Sequence, residues 1–212
     1  MNATRNQRRQ RRERREGVAK PIPMQKPRPL EGIEIFRLDG DGLAQHLDAI
    51  AEILHACVHE GANVGFVLPF DLNQARAFWV QKIAPGLTAN TRILLAAKVG
   101  AQVAGTVQLN LDTPPNQPHR ADVSKLLVHP KYRMLGVGRA LMQQIESYGL
   151  RAGRRLLTLD TATDIAENLY MSLGYERAGH IPGYARQPNE ERFVGTTIMY
   201  KALPDSPDAH PE

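Results

Sequence analysis

The sequence predicts an α/β fold in which a mixed, mostly antiparallel central sheet carries helices on both faces. Two observations predict it: apolar residues switch between strand and helix periodicity along the chain, and glycine-containing turns separate the segments. The predicted order is strand, two helices, three strands, helix, strand, helix and two strands. At 212 residues, 42% of them hydrophobic, the chain is long and apolar enough for one domain with a complete core.

The first half of the predicted domain contains a strand, two capped helices and a hairpin. Residues 33–38 alternate in hydropathy, as a strand with one buried face does. Asp41 and Asp71 are predicted to cap the two helices, because a carboxylate accepts hydrogen bonds from the free N–H groups of a first helical turn. The apolar stripes of the helices are Leu43, His46, Leu47, Ile50, Leu54 and Val58, and then Ala75, Phe78, Trp79 and Ile83. Residues 93–98 and 103–109 flank a glycine turn and predict the hairpin.

The second half alternates strands and helices. Residues 121–128 predict a buried strand, and residues 156–161 predict the next one. The apolar residues of the helix between them recur at intervals of four, four and three: Val137, Leu141, Ile145 and Tyr148. A short helix around Tyr170 follows, and the final two strands are predicted at residues 175–181 and 196–203.

Two glycines open the longer helix of the second half, and this turn has the features of a phosphate-binding site. The N-terminus of a helix leaves about four N–H groups unpaired at the positive end of the helix dipole. Gly136 and Gly138 remove side chains that would keep a phosphate from these donors. Arg133 and Arg139 add positive charge beside them. The spacing excludes a P-loop, which needs a Lys-Ser/Thr pair after its last glycine, and the dinucleotide fingerprint, which needs glycine or alanine where Leu141 stands.

Arg133, Gly136 and Gly138 form the pattern Arg-x-x-Gly-x-Gly after an apolar strand that ends in Val-x-Pro. This pattern resembles the GCN5-related N-acetyltransferases, the GNAT family, and the resemblance covers residues 32–203. It implies the GNAT acyl-CoA N-acyltransferase fold and acetyl-CoA as the acetyl donor, bound along a strand that parts from its neighbour. The residues that it implies for cofactor binding are Leu126, Leu127, Val128, Arg133, Met134, Leu135, Gly136, Val137, Gly138 and Arg139, with Asn168 and Tyr170 from the later helix.

A second segment, residues 167–175, resembles the helix that this family packs beside the cofactor thiol. Tyr170 stands four residues before the glycine of a Gly-aromatic pair, where the family often has the acid that protonates the departing thiolate. Asn168 stands where family members often contact coenzyme A. From the residues alone, the alternative is that Tyr170 is a core aromatic with a hydrogen-bonded hydroxyl.

The acceptor amine must lose a proton before its lone pair can attack the thioester, and the sequence offers three candidate bases. Asp122 stands near the start of the cofactor strand, where family members often carry an acidic residue that acts through water. Asp160 at the end of the next strand is its rival, and His119 is the third candidate. A carboxylate with an ordinary pKa of ~4 is a poor base for an ammonium of pKa ~10, so burial or a water chain must assist it. Each of the three also fits a residue that caps or pairs a strand end.

Several segments resemble one branch of this family, the tabtoxin resistance protein and its relatives, in which the acceptor is a small amino-acid-like β-lactam toxin. The segments are residues 58–66, 121–126, 159–161 and 181–184. The first lies between the two capped helices, where this fold usually places its acceptor-binding loop. On this resemblance, the predicted substrate-binding residues are His59, Glu60, Asn63, Phe66 and Tyr184. The alternative is an interhelical turn whose glycines only solve a backbone problem.

Charge is distributed unevenly along the chain. Residues 1–29 contain ten Lys/Arg and two Asp/Glu, a local charge of +8, so the net charge of +5 leaves 5 − 8 = −3 for residues 30–212. We expect residues 1–29 to be a basic, proline-containing disordered tail, residues 30–203 to be the domain, and residues 204–212 to be a disordered C-terminal tail. The alternatives for the basic tail are an RNA-binding arm and an over-long start before Met24.

The composition also limits which metals, cellular compartment and binding partners can be expected. The seven histidines and single cysteine show no metal-ligand spacing, so no metal is expected. Because Cys57 has no second cysteine to pair with, the reducing cytoplasm is the expected compartment. No apolar run approaches the ~20 residues that span a bilayer, and no signal-peptide pattern follows the basic N-terminus. Nucleic-acid binding would depend on the tail alone. Many relatives pair as dimers, which makes a homodimer a hypothesis.

These features support three functions. The leading hypothesis is an N-acetyltransferase that moves acetyl from acetyl-CoA directly to the amine of a small or amino-acid-like molecule, in a ternary complex. In the second, the acceptor is a protein or peptide amine. The third is a non-catalytic CoA-binding module whose basic tail binds nucleic acid. The acceptor cleft separates the first two: residues 59–66 close it over a small molecule, whereas a peptide needs an open groove.

Overall fold

The computed structural model describes residues 32–204, which fold around a seven-stranded sheet. The strands are β1 (Ile33–Leu38), β2 (Arg92–Val99), β3 (Gln102–Asn110), β4 (Arg120–Val128), β5 (Leu156–Thr161), β6 (Glu176–Arg186) and β7 (Phe193–Ala202). Their order across the sheet is β1-β2-β3-β4-β5-β7-β6, and in the described range β4 with β5 is the one parallel pair. The predicted mixed, mostly antiparallel sheet is confirmed. Apart from Pro204, the predicted tails lie outside the described residues.

Helices cover both faces of this sheet, as predicted. They are α1 (Gly40–His59), α2 (Leu72–Phe78), α3 (Ala84–Thr88), α4 (Val137–Arg151) and α5 (Asp164–Ser172). One wide π-helical turn, Trp79–Ile83, joins α2 to α3, and Pro130–Tyr132 forms a short 3₁₀ turn after β4. Within the described range, no helix is both long enough and apolar enough to cross a membrane.

The sheet separates two hydrophobic cores, because alternate residues of each strand face opposite sides. Val107 of β3 packs in the core beneath α4, whereas Leu94 and Ala96 of β2 pack in the core beneath α1. Trp79 is fully buried in this second core, where its Nε1 donates a hydrogen bond to the carbonyl of Ile50 at 3.1 Å. The helices α1 to α3 therefore form one layer on this face of the sheet.

The N-terminal caps of α1 and α2 are both aspartates. Asp71 caps α2 as predicted: its carboxylate accepts from the Gln74 N–H at 2.8 Å, and the Gln74 side chain accepts from the Asp71 N–H at 2.8 Å. The prediction that Asp41 caps α1 is wrong, because Asp39 accepts from the Gly42 N–H at 2.8 Å and Asp41 lies inside the first turn. Both positions suit a carboxylate near a helix N-terminus, so the local sequence did not separate them.

The second predicted helix is interrupted at Trp79–Ile83. There the N–H of Ala84 bonds to the carbonyl of Trp79, five residues back, which widens the turn. Pro85 follows and has no N–H with which to continue the ladder. The predicted apolar stripe is nevertheless kept, since its residues Ala75, Trp79 and Ile83 are buried.

β6 forms an outer edge of the sheet and is almost wholly exposed. It pairs with β7, and its register shifts twice, once near Gly179 and once between Ile181 and Ala185. The strand continues beyond the predicted residues 175–181, because these irregularities bend it without ending the pairing. Tyr184 therefore lies on the edge strand, and 55% of its surface is exposed.

Gly105 marks a close approach between β3, β4 and α4. A β-carbon at this position would lie 2.7 Å from the Leu127 carbonyl oxygen, which is backbone and cannot rotate away. We therefore expect Gly105→Ala to lower the free energy of unfolding, measured by urea denaturation, by about 1–3 kcal/mol, the usual cost of overpacking. Gly179→Ala is the matched control, because its added carbon meets no described atom within 4 Å. Equal stability of the two variants would contradict the close approach.

Candidate active site

β4 and β5 separate after a short parallel stretch. They pair at three positions, the last being Asp122 opposite Thr158. Beyond this point β5 continues to pair with β7, and within the described residues no strand pairs with that edge of β4. The two strands therefore open into a V, the β4–β5 gap, lined by residues 123–128 and 159–161. Unpaired backbone groups of β4 face it, as the resemblance implies.

A bulge bends β4 beside the gap. The register against β3 shifts between the pairs Thr106↔Leu127 and Gln108↔Ser124, which leaves two residues of β4 opposite one of β3. Lys125 is one of the two, with a φ of 52°, and its carbonyl accepts a hydrogen bond from the Thr106 hydroxyl at 3.2 Å. Such a bulge redirects the side chains on both sides of it. The local sequence does not signal it, because a lysine rarely adopts a positive φ.

The turn after β4 leads to a helix N-terminus with free N–H groups. Gly136 precedes α4 with a φ of 86°, and Ala140 donates the first α-helical hydrogen bond to the Gly136 carbonyl at 3.0 Å. The N–H groups of residues 137–139 precede that bond and therefore have no acceptor inside the helix. Met134 also has a positive φ, 60°, and it is 88% exposed, so it does not cover the helix end. This arrangement can bind an anion.

The two glycines of the turn serve different purposes. Gly136 adopts a left-handed conformation that residues with a β-carbon rarely adopt. Gly138 lies inside the first helical turn, and a β-carbon there would lie 3.4 Å from Leu169 of α5 and 3.7 Å from Val128 of β4. Those are ordinary contact distances, so a methyl group fits, whereas a longer side chain would have to extend past α5 and β4.

The two arginines of the turn are held by different elements. The Nε of Arg133 donates to the Val128 carbonyl at 3.4 Å, at the end of β4. The Nη2 of Arg139 donates to the Ser172 hydroxyl at 2.7 Å, and that hydroxyl donates to the Leu169 carbonyl at 2.6 Å, at the end of α5. In the described part of the chain neither arginine pairs with a carboxylate, so both charges remain available to an anion.

The structure brings the predicted cofactor residues together along one path. Residues 126–128 form the outer part of the gap wall, and residues 133–139 form the turn at its end. The Leu127 side chain is buried in the core beneath α1, and its backbone lies opposite Thr106 of β3. Asn168 is exposed on α5. Their roles in binding remain predictions.

Tyr170 lies near the end of α5, and Gly174, with a φ of 88°, follows that helix as predicted. The Tyr170 ring packs 5.8 Å from the Tyr175 ring, and its hydroxyl has no hydrogen-bond partner in the described part of the chain. Burial raises the pKa of Tyr170, and the negative charge of Asp160 raises it further. The phenol is therefore kept protonated, as a proton donor must be.

Asp122 lies at the closed end of the β4–β5 gap, at the last paired position. One of its carboxylate oxygens accepts from the Arg120 guanidinium and from the Thr158 hydroxyl. An ion pair and a hydroxyl therefore already occupy this carboxylate. His119 precedes β4, and its carbonyl accepts the Arg155 N–H at 2.7 Å, which places it farther from the opening.

Asp160 lies on β5 beyond the paired stretch, on the open side of the gap. It is exposed, and its Oδ2 accepts a hydrogen bond from the Thr196 hydroxyl of β7 at 3.2 Å. Its charge acts on Tyr170 and also favours the protonated form of Lys125. Among the three candidate bases, Asp160 is the one that the structure places with Tyr170.

The predicted substrate-binding residues fall in two places. The end of α1 and the loop that follows it contain four of them: His59, Glu60, Asn63 and Phe66. The Nε2 of His59 donates to the Phe70 carbonyl at 2.8 Å, so this ring helps to shape the loop. The Phe66 ring lies 5.1 Å from the Phe78 ring of α2. Tyr184 is separate from them in sequence, on the exposed edge strand β6.

The loop of residues 60–70 is held at two points. The Nζ of Lys125 donates to the Val64 carbonyl at 3.0 Å, which ties the loop to the bulge in β4. The Leu68 N–H donates to the Pro188 carbonyl at 2.8 Å, which ties it to the turn between β6 and β7. These two hydrogen bonds hold the loop to both sides of the sheet region that contains Asp160.

Two cations that the sequence patterns do not single out lie on the sheet face covered by α1 to α3. Lys125 lies under the loop, and its Nζ is 5.5 Å from the centre of the Phe78 ring. Arg92 begins β2, and its Nη1 donates to the Gln108 side chain at 3.0 Å. Burial lowers the pKa of both side chains. Neither has a local motif, so only the three-dimensional structure relates them to the site.

Known proteins share both the sequence pattern and the fold. The sequence model of the acetyltransferase (GNAT) family matches residues 65–175, just over half of the chain. The YncA protein of Salmonella typhimurium, solved with its cofactor acetyl-CoA, has a TM-score of 0.67 at 19% identity, covering 85% of this chain and 100% of that one.

Two further solved structures carry names that refer to different acceptors. A ribosomal-protein-alanine N-acetyltransferase from Brucella melitensis has a TM-score of 0.64 at 20% identity, covering 80% of this chain and 99% of that one. A protein assigned as a phosphinothricin N-acetyltransferase has a TM-score of 0.66 at 17% identity, covering 82% and 100%. At these identities the likeness concerns the fold.

The protonated state of Tyr170 predicts how stability responds to alkaline pH. An unfolded tyrosine ionises near pH ~10, whereas the folded chain keeps the Tyr170 proton, because burial and Asp160 raise its pKa. Its contribution to stability is therefore complete below pH ~10 and is lost as the pH rises through the folded-state pKa. We expect Tyr170→Phe to reduce the fall in the free energy of unfolding between about pH 9 and 11, measured by urea denaturation. A Tyr184→Phe control, at an exposed tyrosine, should keep the wild-type fall, and equal slopes in the two variants would refute this protonation state.

Proposed function

This chain is a member of the GNAT family of acetyltransferases and uses acetyl-CoA as its acetyl donor, and from that premise we propose that it acetylates the amine of a small, amino-acid-like molecule. The transfer is direct, within a ternary complex of protein, acetyl-CoA and amine. The observation that carries the proposal is the β4–β5 gap, which joins an anion-binding turn at one end to Asp160 and the protonated Tyr170.

The gap fits the two parts of acetyl-CoA that need binding. The free N–H groups of residues 137–139, with Arg133 and Arg139, suit a pyrophosphate. The backbone groups of β4 that face the gap beyond Asp122 suit the amides of the pantetheine arm and can stabilise negative charge on the acetyl oxygen. Asn168 on α5 is proposed as a further contact. Bound there, acetyl-CoA supplies an activated acetyl thioester and a thiolate leaving group.

Proton transfer is assigned to two side chains. Asp160 takes the proton of the acceptor ammonium, directly or through water, so that the nitrogen lone pair forms the N–C bond as the C–S bond breaks. Tyr170 gives its hydroxyl proton to the departing thiolate and regains one from solvent. Asp122 remains the alternative base, but the ion pair with Arg120 leaves its carboxylate less available.

The proposal of a small acceptor is supported by the loop of residues 60–70. Its anchors at Lys125 and Pro188 hold it across the acceptor side, which restricts the space for an extended peptide. The resemblance of residues 58–66 to the tabtoxin resistance branch points to the same class of acceptor, with Phe66 and Tyr184 as proposed contacts. Because the fold is shared by proteins named for a ribosomal protein and for phosphinothricin, the fold by itself does not choose between them.

A panel of acceptors tests this function directly. We expect the protein to release coenzyme A thiol from acetyl-CoA with small amines or amino acids, and to give kcat/KM values at least tenfold lower with tripeptides of the same residues. The readout is thiol release measured with a chromogenic disulfide. Equal kcat/KM values for tripeptides would favour the peptide acceptor. Absence of thiol release with every member of the panel would refute the proposal.

A pair of variants at Gly138 tests where the pyrophosphate of acetyl-CoA binds. Gly138→Glu places a carboxylate beside the pyrophosphate, so acetyl-CoA affinity measured by calorimetry should fall at least tenfold, a loss of about 1.4 kcal/mol. Gly138→Ala should keep the affinity within a factor of about three, because a β-carbon there meets its neighbours at 3.4 and 3.7 Å. Normal affinity in Gly138→Glu would show that the anion lies elsewhere.

Removal of the Tyr170 hydroxyl should separate catalysis from binding. We expect Tyr170→Phe to lower kcat by about 100-fold, within the range of general acid catalysis, while acetyl-CoA affinity stays unchanged. Tyr175→Phe is the matched control, because that ring is also buried and lies beside Tyr170. Steady-state kinetics with the best amine of the panel gives both values. An unchanged kcat in Tyr170→Phe would remove this residue from the mechanism.

A further inference from the structure

Two partly buried cations on one face of the sheet have no carboxylate partner. The ammonium of Lys125 donates to the Val64 carbonyl at 3.0 Å and lies over the Phe78 ring. The guanidinium of Arg92 donates to Gln108 at 3.0 Å through Nη1 alone. In residues 32–204 neither cation is within ion-pair distance of an aspartate or glutamate. All the polar partners of both cations are thus neutral.

Burying positive charge with neutral partners is unfavourable, since the lost hydration is only partly replaced. Burial lowers the pKa of Lys125 and of Arg92, and the Arg92 charge lowers that of Lys125 further. The Nε of Arg92 is also buried and has no hydrogen-bond partner in the described residues. The distant carboxylates of Asp112 and Asp160 offset only part of this cost. An anion bound between the two cations would satisfy both.

The two cations belong to one polar row that leads to the reacting groups. Arg92 of β2 bonds to Gln108 of β3, and the Gln108 side chain donates to the Ser124 hydroxyl of β4 at 3.0 Å. Lys125 is the next residue of β4 after Ser124, and the negative charge of Asp160 on β5 favours its protonated form. The same Asp160 charge raises the pKa of Tyr170. An anion held by the row therefore lies on the acceptor side of Asp160, away from the anion-binding turn.

We propose that Arg92 and Lys125 form an anion subsite that binds the carboxylate of the acceptor, so that the acetylated amine belongs to a free amino acid or a close analogue. The subsite rests on the proposed function, because it positions an amine next to Asp160. A guanidinium offers paired N–H donors that match a carboxylate, and the ammonium supplies the second charge. The Lys125 bond to Val64 also makes the same cation part of the closed loop.

The test compares each amino acid with its amide, which keeps the amine and side chain but removes the negative charge. We expect kcat/KM of the wild-type protein to be at least about 30-fold higher for the acid, the factor expected for a desolvated charged hydrogen bond. Lys125→Met and Arg92→Gln should each reduce this ratio of acid to amide at least fivefold, through a raised KM for the acid. Arg92→Lys should retain part of the preference.

Lys98→Met is the matched control, because that lysine also lies over a phenylalanine ring, 4.6 Å from the centre of Phe36, on a strand of the same sheet. Lys98→Met should leave the ratio of kcat/KM for the acid to kcat/KM for the amide unchanged. A purely structural role for Lys125 or Arg92 would lower the values for acid and amide equally, and would overturn the subsite. A wild-type ratio near one with active turnover would also overturn it, while leaving the acetyltransferase proposal intact.

A binding measurement judges the subsite separately from turnover. Calorimetry of the wild-type protein saturated with coenzyme A compares N-acetylalanine with N-acetylalaninamide as product-like probes. We expect N-acetylalanine to bind at least tenfold more tightly than N-acetylalaninamide, and we expect the Lys125→Met variant to lose that difference. If no amine of the panel is acetylated, the proposed function fails, and equal binding of the two probes then refutes the subsite as well.

Discussion

The parting of β4 from β5 is the constraint on which the rest of the structure depends. Unpaired backbone groups away from water are costly, so a strand edge is left open only where something else supplies the missing partners. Here β3 holds β4 on one side, β7 holds β5 on the other, and the two strands share three register positions before they diverge. The core beneath α4 and the layer of α1 to α3 keep both strands in place.

The bulge at Lys125 extends this constraint to the acceptor side. Because the extra residue takes a positive φ, the lysine side chain reaches the loop after α1 and bonds to Val64. One backbone irregularity thereby shapes the wall of the gap and holds the loop of residues 60–70 through a single hydrogen bond. The Asp160 charge also favours the protonated form of this lysine, so the same side chain holds the loop and interacts with the charge of Asp160.

Local features of the sequence predicted most of the fold and one end of the site. Gly136, Gly138 and the flanking arginines lie within seven residues, so the turn was recognisable from spacing alone. Lys125 and Arg92 were not, because their significance arises from pairing across β2, β3 and β4. The Asp39 cap shows the limit at short range, since two nearby aspartates suit one helix start equally. The protonation of Tyr170 depends on burial, which no spacing rule conveys.

The edge strand β6 has a consequence for how copies of this chain can meet. A straight, exposed strand acts as a template to which another chain adds its own backbone. The two register breaks of β6 interrupt the row of outward N–H and C=O groups, and the strand bends at each. Such irregularities disfavour sheet extension from one molecule to the next along this border. Any pairing of copies there must rely on side chains such as Tyr184 and Phe193.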